Sequence, residues 1–408
     1  MQQETYRSRV KEISVNVINS RLESVRYKNI EKTGLRVYDN GCIGVAGAIG
    51  SYQEKELLER ATDALNLAIA YPSPLSGNRR ESKSYLSDFI AEERFVEEME
   101  DLLAEVTARH TDFSFFNKIN YAESHAAIEN DAGLNLSYAD KVLDFAIAFK
   151  EKSSVSLLDG FVGFTERKYD RKAVVAEFEM LLGATRKKAE LPSEGIYPVI
   201  YLHNNIPFDK FISDLKGDIF SEGASLFSGK LGQKLFSESF TLSQKLGKES
   251  MLPFFDAEGT VNDGEEFNLI TNGVLSAPYC DKKTAHRYGL APSGSARAAY
   301  DGVPQSDLLS PTVKTSGKTI RELLGGQKAI YILMAAGGDY TPSGKYATPV
   351  QISLFYDGES LVGRLPELSI SSDIYDMFGG AFRGVSTDSL MPFSTQTMGV
   401  IDMKVSRS

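Results

Sequence analysis

A metal-activated hydrolase needs about three ligands converging on one point, most simply two histidines a helical turn apart, as in His-Glu-x-x-His. The four histidines here, His110, His125, His203 and His286, are scattered, and none has a histidine four residues on. They read as surface or locally hydrogen-bonded side chains. Cys42 and Cys280 form neither a Cys-x-x-Cys pair nor a zinc pattern, and two cysteines make no disulfide scaffold, which points to a reduced, cytoplasmic protein. Ser225 and Ser228 are hydroxyls beside glycines, but a serine nucleophile needs an adjacent base, and no Gly-x-Ser-x-Gly elbow surrounds them. Packing and turn formation near Gly223 and Gly229 explain them better. Ser228-Gly229-Lys230 lacks the upstream glycine of a phosphate loop. Asp256, Glu258 and Gly259, in the run Asp-Ala-Glu-Gly-Thr, read first as a structural turn and second as the lining of a peptide groove. No cofactor is expected.

The elements that must carry these residues fall into two sets. Alternation at Ile13, Val15 and Val17 and around Ser24–Tyr27 predicts a strand with one polar face, followed by a hairpin turning at Asp39-Asn40-Gly41. Leu57, Leu58, Ala61, Leu65 and Ala68 recur at helical spacing, predicting a helix from Glu54 to Ala70. The prolines of Tyr71–Asn78 make a loop, and a second helix is expected over Ala91–His110. Strand-like runs at Phe113–Ile128, Leu134–Phe149 and Ser153–Thr165 have short polar separators, which suit antiparallel hairpins. A helix over Arg171–Leu182 closes this set. Leu191-Pro192-Ser193-Glu194-Gly195 is the natural boundary. Beyond it come the strand Tyr197–Leu202, one helix over Phe208–Phe220, and short strands, the clearest being Ile330–Met334 and Val350–Tyr356. Phe227, Phe236, Phe240, Phe254 and Phe255 are expected as buried anchors. The fold class is therefore α+β in two domains: an N-terminal antiparallel sheet with helices over 1–191 and a β-rich domain over 192–408.

With 45 Lys and Arg against 55 Asp and Glu, the net charge of −10 argues against direct nucleic-acid binding, which draws on clustered cations. No apolar run is long enough to span a bilayer, and the polar Met1–Glu12 stretch is no secretory signal.

Longer blocks carry more. Lys216–Gly232 holds Gly217-Asp218-Ile219-Phe220, then Gly223-Ala224-Ser225-Leu226-Phe227-Ser228-Gly229 and Leu231-Gly232. Phe255–Thr260, Leu269–Leu275, Thr284–Leu290 and Ser293–Arg297 follow in order, with Gly34–Gly41 near the start, Ile128–Leu134, Gly337–Tyr340 and Ile401–Ser406 at the close. In sequence and spacing these resemble the TldD/PmbA family, whose members often carry the label modulator of DNA gyrase. The peptidase branch of that family has His-Glu-x-x-x-His a few residues before the first block and a late cysteine ligand. A gapless alignment puts Phe208, Asp209 and Ser213 at the motif's first, second and last positions, and no cysteine follows Cys280. The resemblance is therefore to the metal-free TldE/PmbA-like branch. It implies two α+β domains and dimers enclosing a cavity, formed through the C-terminal half with itself or with a motif-bearing paralogue. It further implies a non-catalytic part in a peptidase that acts on unfolded peptides. Within it Asp209 reads as a first-turn helix residue following Pro207, while Ser225, Phe227, Gly229, Asp256, Glu258, Gly259 and Arg297 are candidates for a peptide groove or for structure. A homodimeric peptide-binding module, a metal-independent hydrolase and a protein-level regulator of DNA gyrase stay open beside it.

Overall fold

The computed structural model describes residues 1–407. Its N-terminal sheet is built from four long strands: Gln2–Ile18, Arg21–Asp39, Phe113–Asn130 and Asn135–Glu151. Ile13, Val15 and Val17 point into the core at period two, as their alternation predicts. The strand reaches back to Gln2, further than its apolar part, because its polar first half is paired on both sides. Asn19 and Ser20 both take positive φ, as do Asn40 and Gly41, which is the two-residue hairpin geometry that matches strand twist. The short separators do make hairpins: Phe113–Asn130, Asn135–Glu151 and Gly160–Glu166 pair antiparallel in series. The third of these starts at Gly160, later than Ser153. Arg80–Tyr85 joins the sheet in parallel beside Asn135–Asp140.

Helices Phe95–Arg109 and Arg171–Thr185 cover the sheet's apolar face with Phe95, Met99, Leu102, Leu103, Val106, Phe178 and Leu181. The helix expected over Glu54–Ala70 is shorter. It is α-helical over Glu54–Asp63 and a 3-10 turn over Ala64–Leu67, and left-handed Ala68 (φ 50°) then turns Ile69–Ala70 into an edge strand beside Cys42 and Ile43.

In the C-terminal half, Gly195–Leu202, Met398–Arg407, Leu368–Asp373, Lys345–Tyr356 and Ala329–Ala335 pair in that order, and Ala329–Ala335 returns to Gly195–Leu202. The ring is a closed barrel, which removes sheet edges wherever pairing is complete. A smaller sheet orders Val274–Leu275, Glu266–Thr271, Leu242–Lys245 and Pro311–Val313. The single helix expected over Phe208–Phe220 is two, Asp209–Asp214 and Gly217–Ser221. Between them the backbone is claimed from outside: Leu215 accepts from the Tyr279 N–H, and the Gly217 N–H donates to the Tyr279 carbonyl. Three further short helices, Lys282–Tyr288, Ile320–Leu324 and Ile374–Met377, stand in a region expected to be mostly short strands.

The α+β class holds, with the antiparallel sheet N-terminal and the barrel C-terminal. One apolar core runs through both halves, for Phe145, Phe164 and Phe178 share it with Tyr331, Leu354 and Met398, and the Phe164 and Phe393 rings lie 4.5 Å apart. Among the described residues no helix is long and apolar enough to cross a membrane.

Candidate peptide-binding cleft

Phe208, Asp209 and Ser213 fall on and just before the helix Asp209–Asp214. Phe208 is buried with its ring on Phe378, 6.2 Å between centroids. Phe211 lies deeper, stacked on Phe227 at 5.5 Å and edge-on to Phe236 at 5.4 Å. Asp209 is exposed in the first turn, where a carboxylate favours the helix dipole. Ser213 turns away, its Oγ donating to the Lys210 carbonyl (3.1 Å) and to Asp214 Oδ1 (2.9 Å). A phenyl ring, one carboxylate and a hydroxyl already engaged do not make a zinc site, which needs N, S or O ligands converging in a tetrahedron. Among the described residues no group of three or more His, Cys, Asp and Glu side chains is placed to hold a metal.

Asp209 does face a cavity. It has a volume of about 510 Å³ and runs between Asn204–Asp209 on one side and Ile332–Gly338 on the other, with Tyr201, Tyr346 and Thr348 in its walls. Its origin lies in strand pairing. Ala329–Ala335 runs parallel to Gly195–Leu202 for only two residue pairs, Ile330 with Val199 and Tyr331 with Ile200. The chain then leaves the sheet as a turn at His203–Asn205, while Ile332–Ala335 stays paired only to Lys345–Tyr356. The barrel splits there, and its wall offers a strand with one free edge. Tyr340 steadies the opposite lip by donating its hydroxyl to the Pro207 carbonyl at 2.8 Å. Gly338 must lack a side chain, since a Cβ would run into Thr348.

Tyr201 is the unusual group in this wall. It is 2% exposed, and its hydroxyl has no hydrogen-bond partner among the described residues. Burial pushes the Tyr201 and Tyr340 phenols well up from their ordinary value, so both stay neutral donors. A buried hydroxyl left unpaired is costly.

Asn204 and Pro311 also border a second cavity of about 450 Å³, lined by Glu166, His203, Glu249, Ser250, Met251 and Thr395–Thr397 among others. His203 Nε2 accepts from the Val313 N–H (3.3 Å), which makes Nδ1 the protonated nitrogen that donates to Thr397 Oγ1 (3.0 Å). Burial lowers its pKa, so this histidine is neutral at pH 7. Glu166 Oε1 accepts from the Thr395 backbone (2.9 Å) and hydroxyl (2.6 Å), fixing the far wall.

The remaining candidates lie elsewhere. Ser225 takes the Phe227 N–H (2.9 Å), and the buried Asp214 carboxylate takes the Leu226 N–H (2.7 Å), so the Ser225–Gly229 segment is a turn locked onto the short helix, with left-handed Gly229 (φ 71°) at its end. Asp256 is buried and accepts three backbone N–H groups, those of Glu258, Thr260 and Ala296 at 2.9 to 3.1 Å. Burial outweighs those donors and raises its carboxyl to about 6. Glu258 bridges the two halves, accepting from the Tyr71 hydroxyl and from the Lys282 N–H (2.9 Å), and burial raises it to about 7. Gly259 has φ 67° and abuts Leu134. Beside them Arg36 and Glu4, both buried, pair at 3.0 Å, and Arg36 also donates to the Ala257 carbonyl. Arg297 is exposed and ion-pairs with Asp307. Of the sequence candidates, then, Phe208 and Asp209 reach the cleft, while Asp256, Glu258 and Gly259 form the junction between halves. Tyr201 and the free edge at Ile332–Gly338 carried no signal, because each sits in an apolar run that reads simply as core.

Comparison with known proteins fits this architecture. Residues 4–68 match the model described as PmbA/TldA metallopeptidase domain 1, and residues 195–406 match the PmbA/TldA metallopeptidase C-terminal domain. A protein named metalloprotease from Archaeoglobus fulgidus is 22% identical over 357 residues, covering 83% of this chain and 81% of that one. One of the same name from Methanothermobacter thermautotrophicus is 30% identical over 125 residues, which is 30% of this chain and 27% of that protein's length. A zinc metalloprotease TldD homolog from Saccharolobus solfataricus is 24% identical over 226 residues, 53% of this chain and half of that protein. Among solved structures, TldE from Thermococcus kodakarensis superposes with a TM-score of 0.81 at 16% identity, covering 99% of this chain and 96% of that one. A Thermotoga maritima protein with the provisional name modulator of a DNA gyrase superposes at 0.79 and 16%, over 99% and 96%. At such identity these two report the fold.

Proposed function

The chain belongs to the PmbA/TldD family of metallopeptidase-related proteins, and from that premise we propose that it is a member without a catalytic metal that binds unfolded peptide as an extended strand for a metal-bearing partner. The observation that carries this reading is the coincidence of two features in one place. By the alignment that the family resemblance implies, the positions of the metal motif hold Phe208, Asp209 and Ser213, and the first two of these border a split barrel wall with an unpaired strand edge. Backbone pairing along such an edge recognises peptide in extended form and tolerates many sequences. Tyr201 stands in the cleft wall, and once the wall relaxes around a ligand its unpartnered hydroxyl becomes a donor for one peptide carbonyl.

Chemistry is assigned to the partner. Amide hydrolysis needs an activated nucleophile and a stabilised oxyanion, and Asp209 as a lone exposed carboxylate supplies neither. What this chain contributes is orientation, and holding a peptide against a partner's metal can change rate by several powers of ten. The assembly that fits is a dimer whose second chain carries His-Glu-x-x-x-His.

The test is casein cleavage. The chain alone should leave casein intact, and mixed with a motif-bearing paralogue it should raise that partner's rate. Chelator-insensitive cleavage by the purified chain, lost on Asp209→Asn or Ser225→Ala, would overturn the proposal in favour of a metal-independent hydrolase. Measurable peptide affinity with no effect on any paralogue would leave a homodimeric binding module in its place.

A further inference from the structure

We propose that the loop Lys152–Leu158, with the cations beside it, docks on an anionic membrane surface. The loop joins the strands Asn135–Glu151 and Gly160–Glu166 and is built around one buried carboxylate, that of Asp159. Asp159 Oδ2 accepts the Glu151 N–H and Oδ1 accepts the Ser154 hydroxyl, both at 2.9 Å, while Arg364 ion-pairs with the same carboxylate. The Ser154 N–H returns to the Glu151 carbonyl at 2.9 Å, and Ser154 Oγ takes the Ser156 N–H at 3.1 Å. Leu158 packs on the main core. Held in this way, the loop leaves its other two aliphatic side chains outside: Val155 is 100% exposed and Leu157 is 90% exposed. Single exposed aliphatics are ordinary on a protein surface. Two at the tip of one internally bonded loop are not demanded by the fold, because polar side chains there would leave every one of these hydrogen bonds in place.

The charge around the tip is the second, independent sign. The chain carries −10 overall, yet the segment that follows the helix Arg171–Thr185 reads Arg186-Lys187-Lys188, and all three are exposed. Two links set this segment beside the loop. Arg186 ion-pairs with Asp112, whose carbonyl accepts the Lys152 N–H at 2.8 Å. Arg364, which holds Asp159, donates its N–H to the Lys187 carbonyl and accepts the Ala189 N–H, both at 2.8 Å. Lys150, Lys152, Lys187 and Lys188 have no ion-pair partner among the described residues. Against these four lysines stand Glu151, close enough to act on Arg186, and Glu190. A helix C-terminus attracts cations on its own, which accounts for Arg186–Lys188 but not for the aliphatic pair next to them. A protein partner fits the combination less well, since protein interfaces are depleted in lysine and centre on aromatic or Arg anchors in packed pockets. An anionic bilayer fits both features: the aliphatic tips enter the boundary between headgroups and acyl chains, while the lysines reach lipid phosphates and carboxylates.

The test is flotation of the full chain with vesicles of phosphatidylcholine alone, or of phosphatidylcholine with about one-third phosphatidylserine. The chain should float with the anionic vesicles and far less with the neutral ones, and its binding should fall between about 50 and 500 mM salt as screening shortens. Val155→Ser with Leu157→Ser should weaken binding to anionic vesicles about tenfold or more. Lys187→Gln with Lys188→Gln should weaken it about fivefold per charge removed and leave binding to neutral vesicles unchanged. Both pairs are exposed, so the variants' denaturant midpoints should match the parent's, which separates a lost contact from a lost fold. No binding to anionic vesicles, or binding that Val155→Ser with Leu157→Ser leaves intact, would overturn the proposal. Self-association in sedimentation velocity that the same variant abolishes, without vesicle binding, would overturn it in favour of a second copy of this chain.

Discussion

Replacing Tyr201 by Phe removes one oxygen atom and should move two properties in opposite directions. In the free protein the hydroxyl is buried without a partner among the described residues, a state that costs about 1–3 kcal/mol. The phenylalanine ring fills the same space, so the variant should be more stable by about 1 kcal/mol, allowing for relaxation. In the complex the hydroxyl donates to a peptide carbonyl, a bond with a net value of about 0.5–1.5 kcal/mol, so affinity should fall about 2- to 13-fold. Urea denaturation read by tyrosine fluorescence measures the first effect, and anisotropy with an unstructured peptide measures the second. A purely structural tyrosine would give destabilisation with affinity unchanged. That result would refute the assignment of Tyr201 to the ligand.

Three further outcomes follow from the same residues. Glu258 has a folded pKa raised from 4.5 to about 7, so its contribution to stability is present below about pH 4.5 and lost as pH rises to 7; Glu258→Gln, which keeps an acceptor for the Lys282 N–H, should remove that decline. The difference between the two proteins' stabilities, measured across pH 5 to 8, should change by up to about 3 kcal/mol, and parallel curves would contradict the shift. Arg36→Leu strands the buried Glu4 carboxylate and should cost about 3–5 kcal/mol by denaturant titration, with Arg36→Leu/Glu4→Leu recovering a large part of the loss. Grafting the motif by Phe208→His, Asp209→Glu and Ser213→His should not give stoichiometric zinc by elemental analysis, because no third ligand converges there and position 208 is packed on Phe378; one tightly held zinc per chain would contradict this.

What could be read in the residues follows from how local each signal is. Ile13, Val15 and Val17 announce a half-buried strand because their partners only have to supply an apolar face. Asn40-Gly41 announces its turn because two positive φ values demand those residue types. The Asp256 turn is local too, since two of its three hydrogen bonds reach only Glu258 and Thr260. The helix at Ile320–Leu324 carries a readable capping box, Thr319 with Glu322. The cleft has no such local mark. It exists because Gly195–Leu202 stops pairing with a strand some 130 residues further on, and nothing in either apolar run encodes where that pairing ends. The break after Leu215 is likewise set by a distant backbone, that of Tyr279. Phe208 and Asp209 were reachable through a motif, whereas their role as a lip of the cleft required the barrel.

The most direct measurement of the central claim is photo-crosslinking of an unstructured peptide carrying benzoylphenylalanine to the full chain, with the attached residues located by mass spectrometry. The account predicts adducts on Asn204–Asp209 and Ile332–Gly338, unchanged by chelator and suppressed when alternate peptide nitrogens are methylated so that they cannot pair with the free edge. Adducts concentrated instead along Lys282–Tyr288, where a separate cavity of about 610 Å³ opens, or indifferent to N-methylation, would contradict it.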